Sequence, residues 1–128
     1  MIDVAIDLAK KAARKGEVPI GAIIVRDGKI IAKAHNMREK KQNAIYHAEV
    51  IAINKACKKL KSWRLDDCEM YVTLEPCQMC MGAITNARLK AVYYGTPSTT
   101  DLNWTTKTQN LENKECSKML KEFFAKKR

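Results

Sequence analysis

Two apolar runs, PIGAIIV and IIAKAHN, meet across Arg26-Asp27-Gly28-Lys29, and no other stretch constrains the fold as strongly. Asp-Gly between strand-forming runs calls for left-handed backbone at the turn, which predicts a tight antiparallel hairpin. The segments after it alternate in period. HAEVIAINKACKKLKS repeats apolar residues every third or fourth position, predicting a helix from about His47 to Lys61. CEMYVTLE predicts a third strand, CQMCMGAITNAR a helix that starts at its cysteines, and AVYYG a fourth strand. IDVAIDLAKKAARK before the hairpin predicts a first helix ended by Gly16. LENKECSKMLKEFFAKKR predicts a last helix, with Cys116, Met119, Leu120, Phe123 and Phe124 on or near one face. Strand-helix-strand alternation after a hairpin implies parallel pairing with right-handed crossovers. The expected fold is a three-layer α/β/α sandwich, a mixed central sheet of four or five strands with a C-terminal helix.

The 128 residues fit one domain, 1–128, with no linker, repeat or low-complexity segment. The N-terminal stretch lacks a basic head followed by a continuous apolar run, and no stretch is long enough to cross a membrane. A cytosolic protein with no membrane partner is expected. Five cysteines without a secretory signal argue for reduced thiols over a disulfide framework. Cys57, Cys68 and Cys116 sit in apolar patterns and read as small buried hydrophobes. The formal net charge of +10 points to an anionic partner such as nucleic acid. An excess of Lys over Arg, with abundant Ile and Asn, is also what a biased genome produces.

Cys77 and Cys80 lie two apart at the junction of a strand and a helix, where ligands of open α/β sheets bind. Such a pair can cycle as a redox dithiol, hold a structural zinc or hold a catalytic metal. The dithiol reading meets Gln78-Met79 between the cysteines and a strand order that does not suit the thioredoxin arrangement. A closed zinc site takes four ligands. His35 and His47 are the only histidines, and His35 ends a strand in a different context. An open site needs only three, and His47 starts one crossover helix as the cysteines start the next. Glu49 discriminates further. In the first turn of a helix it favours the dipole, whereas beside a metal-bound water it is a proton acceptor. HAE at 47–49 and PCQMC at 76–80 complete the pattern H-x-E…P-C-x-x-C, the signature of zinc nucleobase deaminases.

Beyond that signature, the chain resembles the bacterial tRNA adenosine deaminases. The resemblance runs through VPIGAIIV, His35-Asn36, HAEVIAI, SWRLDDCEMYVTLEPCQMCMGAI, ARLKAVYYG and ECSKMLKEFFAKKR. It implies hydrolytic conversion of the wobble adenosine of a tRNA anticodon to inosine, one Zn2+ per chain and a homodimer. His47, Cys77 and Cys80 would be the zinc ligands, with Glu49 the proton shuttle for the activated water. Asn36 would hydrogen-bond the flipped base, Pro19 and Ile20 would wall its pocket, and Ala48 would offer its backbone N–H to the bound nucleobase or hydroxide. Phe123, Phe124, Lys126, Lys127 and Arg128 would grip the anticodon loop. Without the resemblance, Asn36 reads as a strand-end turn residue and the C-terminal residues as a core helix with a frayed basic tail.

Two departures stand out. The family leads into HAE with a segment like Asp-Pro-Thr-Ala, where this chain has Asn43-Ala44-Ile45-Tyr46. After YYG only TPSTTDLNWTTKTQN precedes the last helix, where the family carries a longer segment whose start touches substrate; Ser98 stands near that place here. A parallel crossover ordinarily takes a dozen residues or more. Any strand within Leu102 to Gln109 is therefore expected to pair antiparallel, or to be absent. The shortened segment keeps two alternatives open: a deaminase of a free base or nucleoside (guanine, cytosine or cytidine), and a nucleic-acid-binding protein with a non-catalytic zinc site.

Overall fold

A computed structural model describes residues 1–98 and 106–126 of the chain. The elements in order are α1 (Ile2–Arg14), β1 (Gly21–Arg26), β2 (Lys29–His35), α2 (Arg38–Lys41), α3 (Ala48–Leu60), β3 (Cys68–Leu74), α4 (Gln78–Asn86), β4 (Ala91–Thr96), β5 (Lys107–Asn110) and α5 (Lys114–Lys126). The five strands form one sheet in the order β2-β1-β3-β4-β5.

The hairpin forms as its turn residues require. Asp27 and Gly28 adopt φ of 51° and 76°, and Arg26 pairs with Lys29. A register shift follows between Ile24 and Val25. β1 pairs antiparallel with both β2 and β3, so β2 and β3 point the same way on either side of it. β3 and β4 pair in parallel through α4.

Each face of the sheet is closed by a pair of helices. α1 and α5 cover one face, touching each other and the strands β1, β3 and β4 between them. Ala5, Ala9, Ala12, Ile23 and Cys116 are buried in that layer. α1 approaches β1 so closely that a Cβ on Gly21 would overlap the carbonyl oxygen of Ala5. The opposite layer, against α3 and α4, buries Ile24, Met70, Val72, Ile84, Val92 and Leu65. Cys68 and Cys116 are fully buried and Cys57 is half-buried, so two of the three behave as core hydrophobes.

The last strand corrects the sequence expectation. β5 is present and runs parallel to β4, with Ala91 opposite Lys107 and Tyr94 opposite Asn110. The ladder continues as Leu111 N–H donates to the Tyr94 carbonyl at 2.7 Å. Chain reach explains why the short connection suffices. β5 begins opposite Ala91, so a chain leaving Thr96 must travel back past about five residues, ~17 Å at strand spacing. The ten residues 97–106 can span at least ~33 Å. The dozen-residue rule presumes a helix in the crossover, which this geometry does not need.

Candidate metal centre and active site

Because β2 and β3 point the same way, the helices that follow them start at the same end of the sheet. His47 is the N-cap of α3 and Cys77 the N-cap of α4, both with extended backbone. Asn43 builds the turn into His47: its Oδ1 accepts the Ile45 N–H at 3.1 Å, and its carbonyl accepts the Tyr46 N–H. An Asx turn thus forms the lead into α3.

His47 Nδ1 lies 3.7 Å from the Cys77 sulfur and 3.4 Å from the Cys80 sulfur. All three ligand atoms fall within 4.8 Å of one another. Tetrahedral zinc with ordinary bond lengths separates its nitrogen and sulfur ligands by about 3.6 Å, so the arrangement fits that ion. Burial, then the neighbouring Glu49 carboxylate and Cys77, push the Cys80 thiol up. Burial and the Arg38 guanidinium push His47 down. A divalent cation reverses the thiol's position, because a coordinating sulfur gives up its proton.

Glu49, in the first turn of α3, is 3 % exposed. Its Oε1 is buried with no hydrogen-bond partner among the described residues. Burial raises its carboxyl to about 7, partly offset by its own backbone N–H and by Cys80. Buried polar atoms are almost always paired, and a lone carboxylate oxygen beside three atoms placed to hold a metal is a group waiting for a proton or a substrate.

Asn36 directly follows β2 and is buried. Its N–H donates to the Ile20 carbonyl at 3.1 Å, and its Oδ1 accepts the Ala48 N–H at 2.8 Å. The structure thus spends on Asn36 the N–H that the sequence reading offered to the nucleobase or hydroxide. No protein acceptor holds Asn36 Nδ2 among the described residues.

A cavity of about 260 Å³ borders Asn36 and is walled by Glu17, Val18, Arg38, Phe123 and Phe124. His47, Glu49, Cys77 and Cys80 do not line it, so it adjoins the metal centre without containing it. Pro19 and Ile20, expected to wall the base pocket, are buried and do not line this cavity, where Val18 stands instead. Phe123 and Phe124 pack edge to face with centroids 5.4 Å apart, and Phe124 is half exposed. Lys126 ends α5, while Lys127 and Arg128 lie outside the described residues. Sequence reading missed Glu17 and Arg38. Glu17, 2 % exposed, accepts the N–H groups of Glu39 at 3.1 Å and Lys40 at 2.8 Å, capping α2. The only signal was its place after the helix-ending Gly16.

The chain is similar to known deaminases. The chain is 56% identical over 91 residues to the tRNA-specific adenosine deaminase of Bacillus subtilis, covering 71% of the chain and 56% of that protein. It thus spans little more than half the length of that relative. A solved structure from work on A-to-I editing by tRNA:A34 deaminases superposes with a TM-score of 0.87 at 32% identity, over 93% of this chain and 97% of that one. The guanine deaminase of Bacillus subtilis superposes with a TM-score of 0.74 at 46% identity, over 77% of this chain and 63% of that one. The MafB19-like deaminase family matches residues 1–128 without a gap at either end, and the chain belongs to that family.

Proposed function

We propose that this chain hydrolyses the 6-amino group of the wobble adenosine in a tRNA anticodon, giving inosine and ammonia. The carrying observation is the buried, unpartnered Oε1 of Glu49 beside His47, Cys77 and Cys80. Zinc held by His47 Nδ1 and the two sulfurs supplies, when bound, a water acidic enough to ionise near neutral pH. Glu49 takes the proton of the attacking water and delivers it to the ring nitrogen. The water oxygen bonds to C6, Glu49 carries the second proton to the amine, and the C–N bond breaks. Burial raises the Glu49 carboxyl above the usual carboxylate range in the metal-free chain, which favours its holding a proton between the two transfers.

Asn36 holds the base through its free Nδ2, with Ala48 fixing the orientation of the carboxamide. Phe123, Phe124, Lys126, Lys127 and Arg128 contact the loop around it. A base in a loop is cheaper to splay out than one in a duplex, which suits an anticodon. The reading includes a homodimer and a cytoplasmic location. Ile45 and Met79, exposed beside the ligands, offer apolar surface to a second copy. Among the described residues no helix is long and apolar enough to cross a membrane.

The similarity to tRNA adenosine deaminases, one of them over nearly the whole chain, supports the RNA substrate. The likeness to a guanine deaminase supports a second reading, deamination of a free purine. Product analysis by mass spectrometry separates them. Wild type and Glu49→Ala would be offered an adenosine-34 anticodon stem–loop beside free adenosine, cytidine, cytosine and guanine. Inosine in the RNA, absent with the variant, is expected. Untouched RNA with a deaminated small molecule would replace the first reading by the second.

A further inference from the structure

The cations beside the cavity are gathered from separate elements. Gly16 and Glu17, at the end of α1, reach α2 through the two bonds from the Glu17 carboxylate to the Glu39 and Lys40 backbone. That bridge sets the exposed Lys11, Arg14 and Lys15 of the α1 end next to the exposed Arg38 and Lys40 of α2. Their proximity is felt at Lys15, whose ammonium is lowered first by desolvation and then by Lys40, Lys11 and Arg14. Two of these charges reach over β2: His35 is lowered by burial and then by Lys15 and Lys11, with Lys55 of α3 adding to them.

None of these five cations has an ion-pair partner among the described residues, whereas Lys10, Arg26, Arg64 and Lys118 do. The local acids offer little compensation. The Glu17 carboxylate is buried on backbone N–H groups, and Glu39 is a single exposed charge. Unpaired like charges held together repel, so the cluster lowers its energy by meeting an anion. Arg38 belongs both to the cluster and to the cavity wall with Asn36, Phe123 and Phe124. A basic track leading to a concave site with an exposed ring is the arrangement that holds single-stranded nucleic acid.

Resting on the tRNA reading, we propose that Lys11, Arg14, Lys15, Arg38 and Lys40 form the docking surface for the RNA sugar–phosphate backbone flanking the target adenosine. This surface lies on α1 and α2 and meets the C-terminal Phe123 and Phe124 at the cavity wall through Arg38. It supplies phosphate contacts from a part of the chain that the short connection to β5 does not alter.

The test is salt-dependent binding of a labelled adenosine-34 anticodon stem–loop to zinc-loaded full chain, in a Glu49→Ala background. Lys11→Ala/Lys15→Ala/Lys40→Ala is compared with Lys58→Ala/Lys59→Ala/Lys61→Ala, which removes equal charge at the far end of α3. Wild type is assayed in parallel for inosine formation. The first triple is expected to weaken binding at least tenfold and to lower the slope of log K against log salt by about 2, from roughly 0.7 per lost contact. The second triple is expected to leave both near the parent values. If wild type edits the RNA and the two triples behave alike, the docking surface is refuted and the tRNA reading stands. If wild type neither binds nor edits the RNA, the tRNA reading fails and the proposal falls with it.

Discussion

Asn36 Oδ1 accepts the Ala48 N–H at 2.8 Å, tying the end of β2 to the first turn of α3 between His47 and Glu49. One side chain therefore serves both the fold and the base. Asn36→Ala leaves a buried N–H without an acceptor, which costs about 1–3 kcal/mol and lowers Tm. Asn36→Asp keeps an acceptor oxygen but loses the Nδ2 donor. The expectation is greater stability than the alanine variant with deamination lost in both. Thermal melts beside turnover assays check this, and near-wild-type turnover by Asn36→Asp would rule out the base contact.

Glu49 gives a prediction in which stability and activity move in opposite directions. Its carboxyl is raised from 4.5 to about 7 in the folded, metal-free chain. The folded state then binds more protons than the unfolded one between those values, so stability falls as pH rises through that window. Glu49→Gln removes the ionisation. It is expected to stabilise the metal-free protein at pH 8 by about 3 kcal/mol, read as a higher Tm, and to gain little at pH 5. Activity disappears at every pH. A glutamine variant less stable than wild type at pH 8 would show that the carboxylate is satisfied in the fold.

Cys80 carries a thiol that burial holds in its protonated form. Zinc binding must therefore expel a proton. Titration of zinc into metal-free protein in buffers of different ionisation enthalpy should report release of at least one proton per ion. It should also report a stoichiometry of one and a Tm that rises with free zinc. Cys80→Ala should abolish the stoichiometric uptake. Binding with no proton release would place the metal elsewhere.

The clustering of His47, Cys77, Cys80 and Glu49 was legible because each stands at a helix start, fixed by local signals. His47 and Cys77 cap helices whose apolar periodicity is plain, and Glu49 follows one ligand by two positions. Parallel β2 and β3 do the rest, bringing together groups thirty residues apart. What escaped was non-local. Strand β5 has the sequence KTQN, with no apolar alternation to announce it, and three of its four residues are exposed. Its direction followed from how far ten residues reach, and the helix-based rule misjudged that. The four residues of α2 have no buried face at all, so no periodicity marked them. Their place is set by a carboxylate more than twenty residues away.

That carboxylate, Glu17, supplies the last prediction. It accepts the N–H groups of Glu39 and Lys40, the first free donors of α2, and so holds the loop between Asn36 and His47. Charge-assisted bonds of this kind contribute about 1.5–3 kcal/mol. Glu17→Ala leaves two donors unsatisfied or lets α2 swing out, and in the second case Arg38 leaves the cavity wall. Glu17→Gln keeps one acceptor oxygen and should retain part of the stability. The expectation is a ranking, wild type above Gln above Ala, in both Tm and affinity for the anticodon stem–loop, with the zinc content of all three unchanged. Amide hydrogen exchange supplies the discriminating readout, since Glu39 and Lys40 should lose protection before α3 does. Equal protection in the alanine variant would mean that α2 is held by its own αL cap at Gln42, and Glu17 would then have no part in positioning the site.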